Sequence, residues 1–341
     1  MPSCCTMRIC RLIERMDRGA GAPLAALVLV AALFVAGPPV ARGDEFPTHA
    51  VRLIVPQPPG GPADLLARLY AARLTEQWHQ SVVVENRPGA TGTMGTDVAA
   101  RASPDGYTLL MTVDLPIVMA PNLIKTPYDP RTGLLAIAAF AETMQIIAVH
   151  PGTHVKTLED LRKAASARPG TLTFASAGTG SPGHLCGEML NQKLHIRMVH
   201  VPYKGAAPAA TALESGEVSL FCGPITQTLP AVRAGRLNAL VVTGPHPSPL
   251  APDVPMLVST YPDFVVTNWY GVFAPPATPS ATVQRILAGV KAAHDDTVLQ
   301  AKLRVSGIDP LWLQDIELRR RIDADLRKWK AVIDQAGIKA D

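Results

Sequence analysis

The chain has 341 residues, 48% of them hydrophobic and 18% charged, with a formal net charge of +4. That composition describes a globular protein, excludes a disordered one, and at this length predicts two lobes with two cores. The positive excess sits in the first 43 residues, where five arginines face only Glu14 and Asp17. The remainder is close to neutral and offers no basic patch to nucleic acid.

Taken in order, the chain opens with arginines up to Arg18, an apolar run over 22–36 and the small-residue ending Ala41-Arg42-Gly43. These are the three parts of a secretory signal, so residues 1–43 are expected to be a signal peptide cleaved after Gly43. The apolar run is shorter than the ~20 residues a membrane span needs, and later apolar stretches are broken by Gly, Pro or charge. Cys4, Cys5 and Cys10 leave with the leader. Cys186 and Cys222 remain, and their spacing fits either a disulfide or two buried small residues.

Residues 51–55 (VRLIV), apolar but for Arg52 and closed by Pro56, read as a strand covered on both faces. After a Gly/Pro loop, the stripe of Leu65, Leu66, Leu69, Ala72 and Leu74 predicts a helix over 63–78, with Asp64 in the first turn where the dipole favours it. Strand 82–85, the turn Asn86-Arg87-Pro88-Gly89, a short helix ending near Ala102 and strand 107–112 follow. This alternation predicts a parallel α/β lobe. An apolar run over 146–149 and a helix capped by Thr157 come next. A second series then begins after Arg168-Pro169-Gly170: strand 171–175, helix 184–194, strand 198–201, helix 206–214, strand 218–222, helix 227–234 and strand 237–242. A proline-rich connection over 244–262 leads to strand 265–273, which returns the chain to the first lobe. Helices over 280–294, 297–305 and 314–336 finish that lobe. Lobe 1 is thus expected over 44–147 plus 270–341 and lobe 2 over 148–269, joined by a two-strand hinge that allows closure.

The stretch 171–190, TLTFASAGTGSPGHLCGEML, carries the functional reading. A strand running into a helix leaves the first N–H groups of that helix unpartnered, and they point into a loop holding Ser176, Thr179, Gly180 and Ser181, with His184 at the helix start. The loop at Pro58, Pro59, Gly60 and Gly61 has the same arrangement, and neither loop contains Lys or Arg. The two loops are expected to face each other across a cleft and hold a small carboxylate. Each helix start contributes about 0.3–1 kcal/mol, up to ~2 when partly buried, and each hydrogen bond to a charged group roughly 1.5–3. Together these reach the ~8 kcal/mol of micromolar binding.

Other chemistries fit these residues less well. Gly178-Thr179-Gly180-Ser181-Pro182-Gly183 matches a dinucleotide fingerprint, but no acidic residue follows some twenty positions on to hold a ribose, so no cofactor is expected. His184 and Glu188 lie one helical turn apart without a third metal ligand, so no metal is expected either. The alternative from another class is an exported serine hydrolase using Ser181 or Ser176 with His184, although neither serine stands in a G-x-S-x-G elbow.

Seven stretches then form a pattern: 51–64, 82–89 (VVVENRPG), 104–110 (PDGYTLL), Tyr128-Asp129-Pro130, 200–205 (HVPYKG), 251–255 (APDVP) and the tail 329–341. From about residue 46 onward the chain resembles the Bug-type extracytoplasmic solute receptors of tripartite tricarboxylate transporters. The resemblance implies a periplasmic, monomeric, non-enzymatic binding protein of the type II Venus-flytrap kind. Its partners would be a small carboxylate and the membrane subunits of such a transporter. Ligand contacts would fall on the same two loops. Where many members place a cleft-facing Asp after strand 218–222, this chain has Cys222, which removes a partner for an amine and points to an acid without a positive group.

Overall fold

The computed structural model describes residues 46–339, so the leader expected over 1–43 lies outside the described residues. Ten strands form one mixed sheet: β1 (Val51–Val55), β2 (Val82–Asn86), β3 (Thr108–Val113), β4 (Leu135–Val149), β5 (Thr173–Ser176), β6 (Val199–Pro202), β7 (Leu220–Pro224), β8 (Asn238–Val242), β9 (Thr267–Ala274) and β10 (Asp309–Gln314). The spatial order is β2-β1-β3-β9-β4-β7-β5-β6, with β8 and β10 paired to β4 off that path. Nine α-helices cover it: α1 (Pro62–Trp78), α2 (Thr93–Ala100), α3 (Leu158–Ala167), α4 (Pro182–Leu194), α5 (Ala206–Glu214), α6 (Ile225–Arg233), α7 (Ser280–His294), α8 (Thr297–Val305) and α9 (Asp315–Ala336) among the described residues. From Pro47 onward the chain packs as one compact unit.

β4 organises the sheet. Its first ten residues pair antiparallel with β9, and part of that stretch also pairs with β10, whereas Gln145 to Val149 pair with β7 and β8. The first group of strands is therefore not wholly parallel. β1, β2 and β3 run parallel, as the strand-helix alternation predicts, but β9, β4 and β10 add antiparallel partners. The second group keeps β5 parallel to both β6 and β7. The chain passes between the groups at Met144–Gln145 and again around Thr243 and Val266. Thr243 ties the two passages together: its N–H donates to the Gln145 carbonyl (3.0 Å), and its hydroxyl accepts from the Gln145 N–H (3.0 Å) and donates to the Val266 carbonyl (2.6 Å).

Two elements depart from the sequence expectation. The strand expected over 146–149 starts eleven residues earlier, because Ala138, Ala139 and Ala141 are weak strand formers held by burial between β9 and β10. β10 was not anticipated at all: Asp309 and Pro310 open it, and Pro is confined to sheet edges, where its missing N–H breaks no ladder. The helix starts behave as their residues dictate. Thr157 forms a capping box with Asp160 before α3, and the Ser181 hydroxyl caps α4. The core is filled by Tyr70, Phe140, Phe174, Phe221, Trp269, Phe273 and Trp329.

Candidate functional site

The loop after β5 is shaped from within. The Ser176 hydroxyl, fully buried, accepts from the Gly178 N–H (3.1 Å), donates to the Gly178 carbonyl (3.0 Å) and lies 2.6 Å from His200 Nε2. The His200 ring stacks on His184 at 3.6 Å with an interplanar angle of 8°. His184 Nδ1 accepts from the Gly180 N–H (3.0 Å), and its backbone N–H donates to Ser181 Oγ (3.4 Å). Gly180 adopts φ +74° and closes against Leu123, whose side chain a Cβ would strike. Ser176 at the end of β5, Thr179, Gly180 and Ser181 in the loop, and His184 in α4 are thus held together around two stacked imidazoles, and none of the five lines the cavity described below. His200 was within a quoted motif but not recognised as a support.

α4 is pinned to β7. Cys186 and Cys222 form a disulfide with a Cα separation of 6.4 Å, which settles the alternative left by their spacing. Gly183 packs so closely on the Cys222 carbonyl oxygen that a Cβ would overlap it. Beside this junction is a small cavity of about 60 Å³, against the ~10–15 Å³ one water needs. Three helices begin at its wall: α4 through Pro182 and Gly183, α5 through Ala206, and α6 just after Pro224. Neither α5 nor α6 has a side-chain N-cap. The N–H groups of a first helical turn have no intrahelical acceptor, so this wall concentrates donors and the positive ends of three dipoles. Cys222 lies on the same wall, and Gln145 from β4 and Asn268 from β9 complete it.

Gln145 and Asn268 belong to a buried polar line. Gln145 Nε2 donates to Asn268 Oδ1 (2.6 Å), and Asn268 Nδ2 donates to Asp114 Oδ1 (3.1 Å). Asp114 Oδ2 is buried without a hydrogen-bond partner among the described residues. Burial pushes the Asp114 carboxyl up to about 8, against the lowering effect of the Asn268 hydrogen bond. Behind it, Arg321 of α9 bonds Asp325 (2.8 Å) and Thr267 (3.1 Å), and the Trp269 indole also donates to Asp325 (2.9 Å). Sequence reasoning missed Gln145, Asn268 and Asp114. The available signal was a polar side chain inside an otherwise apolar strand, since such a group is buried only when it is bonded.

The loop after β1 is equally well ordered but lies elsewhere: Pro58, Pro59, Gly60 and Gly61 do not line this cavity. Gly60, at φ +87°, donates its N–H to Asp64 Oδ2 (3.0 Å), while Asn86 Nδ2 bonds both Asp64 Oδ1 (3.0 Å) and the Gln57 carbonyl (3.1 Å). Burial opposes the charge on Asp64, but bonds from Arg68, Gly60 and Asn86 outweigh it and hold the carboxyl below its ordinary value. Gly61 begins α1 without a side-chain cap. Gln57 Nε2 reaches Thr112 Oγ1 on β3 (3.1 Å), and Gln57 Oε1 is buried without a partner among the described residues.

The hydrolase geometry is not assembled. His184 Nδ1 is engaged by the Gly180 N–H, Ser181 Oγ caps its own helix, and Ser176 Oγ meets His200 instead. His184 Nε2 stands 3.9 Å from Glu188 Oε1, and no group of three or more His, Cys, Asp or Glu able to hold a metal occurs among the described residues. Larger depressions of about 370 and 620 Å³ border α9 and residues 121–136, but they bring together no converging helix starts.

Residues 66–338 match the family model described as the tripartite tricarboxylate transporter family receptor, TctC. Among solved structures, the periplasmic binding protein BugD is 31% identical, covering 87% of this chain and 100% of its own, with a TM-score of 0.74. Rpa4515 of R. palustris, solved with adipate, is 31% identical over 86% of this chain and 99% of its own, with a TM-score of 0.76. MatC (Rpa3494) from Rhodopseudomonas palustris, solved with bound malate, is 30% identical over 84% of this chain and 100% of its own, with a TM-score of 0.71. None of these similarities supports a serine hydrolase. The chain belongs to the tripartite tricarboxylate transporter family of receptors and has the fold of a periplasmic solute-binding protein.

Proposed function

We infer that the chain is exported to the periplasm, captures a small organic carboxylate without chemical change, and presents it as a monomer to the membrane subunits of a tripartite tricarboxylate-type transporter. The observation that carries this reading is the convergence of three helix starts on one cavity in a member of this receptor family. Each start supplies about 0.3–1 kcal/mol, up to ~2 when partly buried, and two or three charge-assisted bonds at roughly 1.5–3 kcal/mol each bring the total to micromolar affinity, ~8 kcal/mol. Neutral donors hold the anion without the tight ion pair that Arg would form, which suits a protein that must release its cargo.

The loop of Ser176, Thr179, Gly180 and Ser181, with His184 behind it and Cys222 beside it, is assigned to one wall. Pro58, Pro59, Gly60 and Gly61, with the uncapped start of α1, do not line the cavity in this structure and are assigned to the surface that closes over it when the two lobes approach. The lobes proposed are 44–147 plus 270–341 and 148–269, a division supported by the change of strand partners at Gln145 and Thr267. Bound adipate and malate in the two related structures support the ligand class. Calorimetry of the purified protein with adipate and with malate tests it: saturable binding of either one is expected. Heatless titrations with both, together with no thermal shift across a wider set of small carboxylates, would overturn it.

A further inference from the structure

Resting on that reading, we propose that the amide pair Gln145–Asn268 fixes the ligand class: an organic acid carrying carboxylate or hydroxyl groups and no ammonium. The argument concerns which hydrogen-bonding groups around the cavity remain to be used. Thr243 holds the Gln145 backbone N–H and carbonyl, which fixes the point on β4 from which the side chain departs. Its side chain donates to Asn268 Oδ1, and Asn268 donates in turn to Asp114 Oδ1. The line runs from Gln145 through Asn268 to the Asp114 carboxyl oxygen. Each donates inward along the line, and each keeps a second N–H.

Acceptors are scarce by comparison. The Gly178 carbonyl already takes the Ser176 hydroxyl and the Ser181 N–H. Ser181 Oγ takes the His184 N–H, and the Pro224 carbonyl takes the Thr228 hydroxyl. Gly183 covers the Cys222 carbonyl, and the Cys222 sulfur, bound to Cys186, cannot ionise. No carboxylate lines the cavity among the described residues. Asp114 lies behind Asn268, and burial keeps it largely protonated at neutral pH. An ammonium brings three donors and a charge into this wall and meets the Gln145 Oε1 as its main acceptor, while helix starts on the other side repel it. A carboxylate or hydroxyl at the same place meets the spare amide N–H groups and the helix donors.

Matched ligands that differ only in the ammonium test this directly: succinate against aspartate, and glutarate against glutamate, by calorimetry, with adipate and malate alongside. At least one of the four acids is expected to bind, with the amino acids at least about 100-fold weaker, the loss that an unpaired buried charge brings. Aspartate or glutamate binding as tightly as its partner would overturn the proposal and leave the carboxylate-receptor reading standing. Silence from all six compounds, together with no thermal shift across the wider set of small carboxylates, would overturn both. Gln145→Glu and Asn268→Asp each place an acceptor and a negative charge in the cavity. Either should weaken the best acid at least about tenfold and narrow its margin over the matched amino acid. Asn268→Asp sets a carboxylate against Asp114, and should it fail to fold, Gln145→Glu carries the test. Unchanged selectivity in a folded Gln145→Glu protein would overturn the proposal.

Discussion

The disulfide between Cys186 and Cys222 makes a quantitative claim about stability. It links α4 to β7 across 36 residues of sequence, and both cysteines are fully buried. Closing a loop of that length removes roughly 13 cal/mol/K from the unfolded chain, or about 4 kcal/mol at 25 °C. Because neither sulfur reaches solvent, reduction has to proceed through the opened chain. The comparison is therefore between oxidised protein and protein reduced in urea and refolded with reductant, each unfolded by urea and followed by circular dichroism. With a urea slope of about 3 kcal/mol/M, the midpoint should fall by ~1 M or slightly more. Thiol titration should find no reactive cysteine from this pair in the oxidised sample and two in the reduced one. The same reduction frees the start of α4 from β7, so binding of the acid should weaken alongside. Equal midpoints in samples whose thiol counts differ by two would refute the reasoning, and two free thiols in protein from an oxidising compartment would refute the bond itself.

Two further outcomes follow from neighbouring geometry. Gly183→Ala drives a methyl into the Cys222 carbonyl, a backbone atom that cannot step aside. The variant should lose about 1–3 kcal/mol and bind the acid more weakly, and a melting temperature and affinity equal to the parent's would contradict the close packing. Asp114 adds a pH dependence of unusual sign. Its folded value is raised to about 8 by burial, so between the ordinary carboxylate range and pH 8 the folded chain keeps a proton that the unfolded chain has released. Its contribution is therefore whole below about pH 4 and declines as pH rises to 8, by at most ~5 kcal/mol at 1.36 kcal/mol per unit. Lys328, pushed down to about 8 by burial, acts in the opposite direction only above that pH. Asp114→Asn should flatten the fall in melting temperature between pH 5 and 8, and a slope identical to the parent's would show that Asp114 is not the group responsible.

The sequence revealed the helices and the buried parallel strands well, because their signals are local. The helix α1 lies where its residues predict it, but the buried face is a different one: Leu66 and Leu74 are buried with Ala63, Ala67, Tyr70 and Ala71, whereas Leu65 and Ala72 of the expected stripe are exposed. The capping box of Thr157 and the strand-to-helix turn at Ser176 follow from residues within one or two turns of each other. What it concealed depends on distant partners. The alanines of β4 are neutral in propensity and become a strand only because β9 and β10 flank them, and β10 begins with Asp309-Pro310, residues that locally read as loop. The site divides the same way. The loop around Ser176 was legible as a strand-to-helix turn from its own hydroxyls and glycines, but the segment borders the cavity through Ala177, Pro182 and Gly183 and not through Ser176, Thr179, Gly180, Ser181 or His184. Gln145 and Asn268 sit 123 positions apart and meet only because β4 and β9 pair, so neither carried a local mark beyond being polar in an apolar strand.

The two loops singled out by their likeness differ in how they meet the cavity, and the polar line explains the difference. The loop after β5 borders it directly through Ala177. The loop after β1 has used several of its inner groups: the Gly60 N–H on Asp64, the Gln57 carbonyl on Asn86 and the Gln57 Nε2 on Thr112. Thr112 in turn donates to the Val113 carbonyl (2.9 Å), and the next residue is Asp114, whose carboxyl orients Asn268 and hence Gln145 at the cavity wall. From Gln57 to Gln145 the bonded groups are amides, hydroxyl and carbonyl, with one carboxyl kept mostly neutral by burial. A line of that kind connects the loop after β1 to the cavity wall without placing a fixed charge between them. An anion in the cavity then meets donors set before it arrives, and the ordering entropy that flexible loops would lose on binding has already been lost in folding.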